Sequence, residues 1–293
     1  MYHSCGRVPI HHRHLTIHQY QVECGFRHAG KGLLSIIRGD QRRTRAKGLV
    51  ADQPNVLARA REAGVGQFLN ISTRRSEWGQ VVATAERESD VWASVGIHPH
   101  EADQHADLGR DVLLEATHNS RVIAIGETGL DYYYDNSERE TQRDLFRMHI
   151  GASRETGLPL IIHTRDAEED TLEILEDELG KGAYPALIHC FTASSEFGKR
   201  VLELGLTISL SGIVTFKNAK ELQEIAKEIP RESLLVETDS PFLAPVPHRG
   251  RPCEPAFVAN TAQFIADLRG EEVEELAAYT TENFRNLFSK AQF

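Results

Sequence analysis

The fold follows from one stretch, Val122-Ile-Ala-Ile-Gly-Glu-Thr-Gly-Leu-Asp-Tyr-Tyr133, whose first four residues are all apolar. Such a run is typical of a strand that is buried on both faces of a parallel sheet. The run stops at Gly126-Glu127. A carboxylate at the end of a buried strand needs a partner, because burying a lone charge costs a great deal of free energy. A metal ion is the simplest partner to suppose.

Three later apolar runs also end in a residue type that binds metals. Leu160-Ile-Ile is followed by His163, Ala186-Leu-Ile by His189, and Leu234-Leu-Val-Glu-Thr by Asp239. A mixed set of carboxylate and imidazole donors suits Mg, Mn or Zn, and the sequence does not choose among them. Together with Glu127, these residues predict a divalent metal centre.

Apolar strands alternate with helical segments from residue 48 onward, which predicts a parallel α/β sheet covered on both faces. A closed TIM-type barrel needs eight strands and carries its catalytic residues at their carboxyl ends, where the four candidate ligands fall. The competitor is an open, doubly wound sheet, which would not place polar residues at so many strand ends. We therefore predict a TIM (β/α) barrel with an unclear first strand; seven strands are recognised, at 67–71, 91–95, 122–125, 160–162, 186–188, 206–210 and 234–238.

Composition indicates a soluble protein of 293 residues with 40% hydrophobic and 26% charged residues. No window approaches the roughly 20 apolar residues of a membrane span, and we see no secretory signal. The net charge of -10 argues against broad coating of nucleic acid, but not against a local pocket for a nucleic-acid end. We expect a cytoplasmic location, because the cysteines form no CxxC pair and are typical of free thiols: Cys5, Cys24, Cys190 and Cys253.

The amino-terminal segment differs in composition from the rest of the chain. Residues 1–47 hold nine Lys/Arg, two acidic residues and six of the fourteen histidines. We predict a boundary near Lys47-Gly48, with an atypical basic extension over 1–47 that is irregular and the barrel over 48–293. A transit peptide is the alternative, although such peptides are richer in serine.

Five motifs in order resemble the TatD family of metal-dependent hydrolases: Gly96-Ile-His-Pro-His, Gly126-Glu-Thr-Gly-Leu-Asp-Tyr, Ile162-His-Thr-Arg-Asp, His189-Cys-Phe and Glu237-Thr-Asp-Ser-Pro-Phe-Leu. The resemblance covers about residues 48–290. It implies a TIM barrel of the amidohydrolase type with up to two divalent metal ions. The family includes deoxyribonucleases, some of them 3′ exonucleases, and members credited with deacylating D-aminoacyl-tRNA.

The resemblance also assigns roles to residues. It implies that Glu127 bridges the metals, that His163 and His189 hold one ion, and that Asp239 binds metal and orients the attacking water. His98 matches a histidine that meets the substrate phosphate.

Arg165 and Arg249 are candidates for binding phosphate through bidentate hydrogen bonds. Two other features stay open from the sequence. Tyr132-Tyr-Tyr134 either stacks bases or packs on the rim, and Glu237 either supports the metal centre or forms a buried pair. His149 is predicted to lie on the surface of its helix or loop without a role.

The chain departs from the family pattern at its first strand. Members begin with a strand bearing His-x-His, which supplies two ligands and should lie shortly before Gly48. Residues 38–47 contain no histidine, and the one His-x-His, His12-Arg-His14, lies more than thirty residues too early. Either the first strand has diverged, or the start or reading frame of the gene model is wrong. The barrel is then closed by another segment, such as Leu33–Ile37, or left open, and we hypothesise that one metal site is crippled.

Three functions are compatible with these residues. The first is a nuclease that cleaves phosphodiester bonds in DNA with a metal-activated water. The second is a metal-dependent deacylase acting on an ester such as aminoacyl-tRNA, which would use the same ligands. The third is a catalytically impaired barrel, favoured by the missing His-x-His. The sequence predicts no membrane partner and leaves the oligomeric state open.

Overall fold

The structure, a computed structural model, describes the backbone of residues 34–38 and all of residues 52–291. Within these residues, each strand is followed by a helix, except β8, which is followed by β9 of the same sheet. The strands are β1 Leu34–Arg38, β2 Gln67–Ile71, β3 Val91–Val95, β4 Val122–Asp131, β5 Leu160–Arg165, β6 Ala186–Ile188, β7 Thr207–Leu210, β8 Leu234–Val236 and β9 Asp239–Ser240. The α helices are α1 Gln53–Glu62, α2 Trp78–Arg87, α3 Arg110–Ala116, α4 Arg139–Thr156, α5 Glu168–Gly180, α6 Ser195–Glu203, α7 Lys220–Glu228, α8 Val258–Arg269 and α9 Val273–Leu287.

The sheet is parallel throughout and closes on itself. Each strand from β1 to β7 pairs with the next one along the chain, and β1 also pairs with β9. β9 continues β8 after two residues, so this stretch joins the two edges of the sheet. The result is the predicted TIM-type barrel. An open, doubly wound sheet is excluded, because it would leave its two edge strands apart.

The strand that closes the barrel comes from the basic segment. Ile36 lies opposite Asp239 and Ile37 opposite Ser240, while Leu34 to Arg38 pair with all of β2. Of the two alternatives that the sequence left open, the structure shows closure by another segment, with the strand at Leu34–Arg38 where Leu33–Ile37 was suggested. The sequence Leu-Ser-Ile-Ile-Arg contains no histidine, cysteine or carboxylate. The boundary at Lys47-Gly48 and the His12-Arg-His14 motif lie outside the described residues, so both stay predictions, although β1 precedes that boundary.

Strand residues contribute alternately to two apolar clusters. The larger cluster lies between the sheet and the helices and contains residues such as Phe68, Val91 and Ile162. The smaller one holds alternate residues of the same strands, such as Leu69 and Leu187, together with aromatic residues of α9 and the segment after it. Because successive side chains of a strand point to opposite faces, this second cluster fills the barrel interior.

Helix α4 shows how the outer layer is specified. Its buried residues recur with helical spacing and include Leu145, Phe146 and Ile150, and it ends at Gly157, whose φ of 69° suits a left-handed cap. His149 lies on the same buried face with none of its surface exposed. The prediction that His149 lies on the surface is therefore wrong. Among the described residues, no helix is both long and apolar enough to cross a membrane.

Candidate metal centre

The four residues predicted as metal ligands lie at the carboxyl ends of barrel strands. Glu127 lies within β4, His163 within β5 and Asp239 within β9, while His189 follows β6 directly. Because the strands are parallel and adjacent, their carboxyl ends meet at one end of the barrel. The fold thus brings together the residues that the sequence singled out.

A close approach of two backbones places His98 beside them. A Cβ on Gly96 would lie only 2.4 Å from Cα of Gly126, so only glycine lets the segment after β3 lie against β4. The backbone N–H of His98 donates to the carbonyl of Thr73 at 2.8 Å. His98 is therefore held beside Glu127, which follows Gly126 in β4.

Three imidazole rings face one oxygen of the buried Glu127 carboxylate. Its Oε1 lies 3.2 Å from Nδ1 of His163, 3.5 Å from Nε2 of His98 and 3.8 Å from Nε2 of His189. Oδ1 of Asp239 lies 3.6 Å from the same nitrogen of His189. Donor atoms around a tetrahedral ion with bonds of about 2.0–2.1 Å are about 3.3 Å apart. The spacing and chemistry of these donors therefore fit a divalent cation.

Two further carboxylates contact the outer nitrogens of the two predicted histidine ligands. Oδ2 of Asp131 lies 3.0 Å from Nε2 of His163, and Oε1 of Glu237 lies 2.6 Å from Nδ1 of His189. An ionised carboxylate only accepts, so each of these nitrogens carries the proton. Each ring then presents its other nitrogen toward Glu127. This carboxylate–histidine arrangement is the one that orients histidines in metal sites.

The ionisation of these groups follows from their surroundings. Burial favours the neutral form of Asp131, but hydrogen bonds from His100 and His163 outweigh it and hold its pKa well below the usual range. Burial lowers the pKa of His189, but the carboxylates of Glu237 and Glu127 outweigh it and raise that pKa to about 10. The site is thus a network of buried opposite charges, which is typical of functional sites.

His98 differs from the other two histidines in its protonation. Its Nδ1 accepts a hydrogen bond from the backbone N–H of His100 at 3.1 Å. A neutral imidazole with an accepting Nδ1 carries its proton on Nε2. Nε2 of His98 therefore presents an N–H toward the centre, which suits contact with an anion better than metal ligation.

A cavity of about 270 Å³ opens above this centre. His98, His163 and Asp239 line it, and Arg165 lies at its side. The sequence made both Arg165 and Arg249 candidates for binding phosphate, but only Arg165 lines the cavity. Arg249 is exposed, is not among the residues that line the cavity, and holds its guanidinium carbon 3.5 Å from the ring centroid of Phe216.

Around the centre the structure adds residues whose role the sequence left open or did not assign. Asp131 was quoted within a motif but given no role, although it ends the same strand as Glu127. Glu237 was left open, and the structure places it against His189. His100 donates to Asp131 at 2.9 Å. Arg74, a buried residue that lines the cavity, was given no role by the sequence. Its guanidinium lies 3.2 Å from Glu77, three residues along the chain, and 3.2 Å from the more distant Glu101.

An α/β barrel with oriented histidines and carboxylates at its carboxyl end is the architecture of metal-dependent hydrolases. A model of the family described as TatD related DNase matches residues 42–289. The chain is 42% identical over 237 residues to YcfH of Escherichia coli, named an uncharacterized metal-dependent hydrolase, covering 81% of this chain and 88% of that one. It is 36% identical over 244 residues to the 3′-5′ ssDNA/RNA exonuclease TatD of Erwinia tasmaniensis, covering 81% of this chain and 94% of that one.

Among solved structures, the chain resembles YjjV, a TatD homolog from Escherichia coli, with a TM-score of 0.79 and 26% identity. The alignment covers 88% of this chain and 98% of that one. The chain belongs to the TatD family of metal-dependent hydrolases. The resemblance inferred from the five sequence motifs is confirmed.

Proposed function

We propose that this protein is a metal-dependent nuclease that hydrolyses phosphodiester bonds at an end of single-stranded DNA. The observation that carries the proposal is the pair of carboxylate–histidine contacts described above. Asp131 and Glu237 orient His163 and His189 so that one nitrogen of each ring faces Glu127. Each of these two buried carboxylates also accepts hydrogen bonds from neighbouring groups, which holds it in place as a support for a metal ligand.

Glu127, His163, His189 and Asp239 would hold the cation, which is Mg, Mn or Zn. When bound, a divalent cation acts as a Lewis acid on the scissile phosphate and makes the attacking water more acidic. His163 and His189 both face one oxygen of Glu127, Asp239 lies against His189, and β1 contributes no donor. We therefore expect one tightly held ion per chain, in keeping with the hypothesis that a second site is crippled.

The remaining roles follow from positions around the cavity. The Asp239 carboxylate lines the cavity and orients the attacking water by accepting its hydrogen bond. Nε2–H of His98 donates to a non-bridging oxygen of the phosphate, since its tautomer is fixed by the backbone of His100. Arg165 binds the same or the neighbouring phosphate through its planar guanidinium.

Arg249 is proposed to contact the strand farther from the scissile bond. Its guanidinium is exposed and stacks on Phe216 outside the cavity. We expect Arg249→Ala to weaken binding of a long oligonucleotide more than that of a dinucleotide.

The relatives support hydrolysis of nucleic acid, since one is named as an exonuclease of single-stranded DNA and RNA. No contact of the described residues favours the deacylase alternative. A cytoplasmic location also stays a prediction.

The test is release of nucleotides from single-stranded DNA, with metal content measured by mass spectrometry on the same protein. We expect Mg- or Mn-dependent release that EDTA abolishes, and about one bound ion per chain. Asp239→Asn should lower the rate by about 10²–10⁴-fold, while Asp107→Asn, an exposed acid outside the cavity, should not. Full activity of the Asp239 variant would refute its role. Bound metal with release only from an aminoacyl ester would replace the nuclease proposal with the deacylase.

A further inference from the structure

Two exposed tyrosines lie beside the cavity. Among residues 52–291, three large hydrophobic side chains are exposed, and two of them are Tyr133 at 56% and Tyr134 at 46%. Exposed aromatic rings that lie next to each other are typical of binding surfaces. Because they follow β4 after a single residue, Tyr132, they stand at the end of the strand that carries Glu127.

Contacts link these rings to the metal centre. Tyr134 lines the cavity, and its ring centroid is 5.2 Å from that of His100, edge to face. The two tyrosine rings are 4.8 Å apart and perpendicular. The guanidinium carbon of Arg165 lies 3.9 Å from the Tyr133 centroid and 4.8 Å from the Tyr134 centroid. The two rings and Arg165 therefore form one contiguous group.

The cavity is too small to enclose a nucleotide with its neighbours. Its volume of about 270 Å³ lies just below the roughly 300–1,000 Å³ of small-molecule sites. A phosphate held at the centre leaves its base to lie outside the cavity. Beyond Arg165, the next surface is the pair of exposed rings.

We propose that Tyr133 and Tyr134 form a stacking platform for a nucleobase of the single-stranded substrate, adjacent to the phosphate held by Arg165. This inference rests on the proposed nuclease function and specifies its substrate: a flexible strand end with an unpaired base. Stacking tolerates any base because each has a π face. Stacking also supplies affinity for nucleic acid without a broad basic surface. The net charge of -10 argues against such a surface on this chain.

The experiment measures kcat and KM for release from a hexathymidylate, and from hexamers in which one abasic residue is placed at each position in turn. The double variant Tyr133→Leu/Tyr134→Leu keeps apolar volume but removes the rings, and the double phenylalanine variant keeps them. Stacking on one side chain corresponds to about 5- to 150-fold in affinity. We expect the leucine pair to lose kcat/KM by about that factor, mainly through KM, and the phenylalanine pair to resemble the wild type. Val246→Ser changes the third exposed hydrophobic residue, which does not line the cavity, and serves as the matched control.

The abasic scan adds a second condition. At one position of the hexamer, removing the base should lower kcat/KM of the wild type by the same factor as the double leucine substitution does. Removing that base should lower kcat/KM of the double leucine variant little further. The platform is refuted if the double leucine variant cleaves hexathymidylate as the wild type does. It is also refuted if, at every position, the fold-losses in kcat/KM from base removal and from ring removal multiply. In both cases the nuclease proposal stands. If the wild type releases no nucleotide from any hexamer, both proposals fall.

Discussion

Replacing His149 with glutamine should change how the stability of the fold responds to acid. The ring is fully buried in α4, where Nδ1 donates to the carbonyl of Leu145 at 2.7 Å and Nε2 accepts from the backbone N–H of Ile97 at 3.1 Å. A ring that accepts at one nitrogen is neutral. Burial lowers its pKa from the ordinary 6.5 to about 4, against a smaller opposing effect of the Leu145 carbonyl.

The magnitude follows from linkage between protonation and folding. Below pH 6.5 the unfolded chain protonates His149, whereas the folded chain does so only near pH 4, so the unfolded state binds more protons between these values. The stabilisation is complete above pH 6.5 and is lost as the pH falls to 4. At about 1.4 kcal/mol per pKa unit, the loss in unfolding free energy approaches about 3 kcal/mol. Glutamine lacks this titration, although its amide oxygen can still accept from Ile97.

The assay is urea unfolding in EDTA at pH 7 and pH 4.5, for the wild type, His149→Gln and His118→Gln. Other titrating groups are common to all three proteins and cancel in the differences. We expect the stability advantage of the wild type over His149→Gln to shrink by about 2–3 kcal/mol between the two pH values. In the His118 variant, which changes an exposed ring, the difference in unfolding free energy from the wild type should be the same at both pH values. An equal advantage at both pH values would refute the neutral, buried state of His149.

Three further predictions test the centre and the barrel. Asp131→Asn removes the charge that orients His163 and should weaken metal binding about 10- to 100-fold, measured in competition with a chelator. Asp135→Asn, which changes an exposed ion pair with an arginine, should leave the affinity for metal unchanged. Equal affinities of the two variants would contradict the role of Asp131. Gly96→Ala places a Cβ 2.4 Å from backbone and should destabilise the fold by at least about 1–3 kcal/mol in urea, whereas Gly79→Ala, with nothing within 4 Å, should not. Deleting residues 1–46 removes β1 and should lower the thermal midpoint far more than deleting residues 1–33, and equal midpoints would show that β1 is dispensable.

The strands and the donors at their ends could be predicted from the sequence, and the reason is local. A run such as Val122–Ile125 is apolar at every position, which distinguishes a strand buried on both faces from an amphipathic helix. Glu127 and His163 then stand out because each interrupts such a run. The spatial meeting of these donors follows from the parallel topology alone.

The partners of those donors could not be predicted, because pairing is a property of the closed barrel. Asp131 and His163 belong to different strands, and nothing in either strand specifies which nitrogen faces which carboxylate. His149 is a different case, since it lies beside Ile150 and four residues after Leu145, on the apolar stripe of α4. That helical periodicity predicts a buried position for His149. The general preference of histidine for partly exposed positions is the weaker guide here.

Strand β1 shows how a segment without donors still bears on the centre. Its sequence lacks metal-binding side chains, so it adds no ligand from residues 34–38. Yet Ile36 pairs with Asp239 in parallel register, and no other described strand pairs with β9. β9 itself is only two residues long. Pairing with β1 therefore holds the backbone of Asp239, whose carboxylate we propose to orient the attacking water, although the sequence of β1 contains no metal-binding residue type.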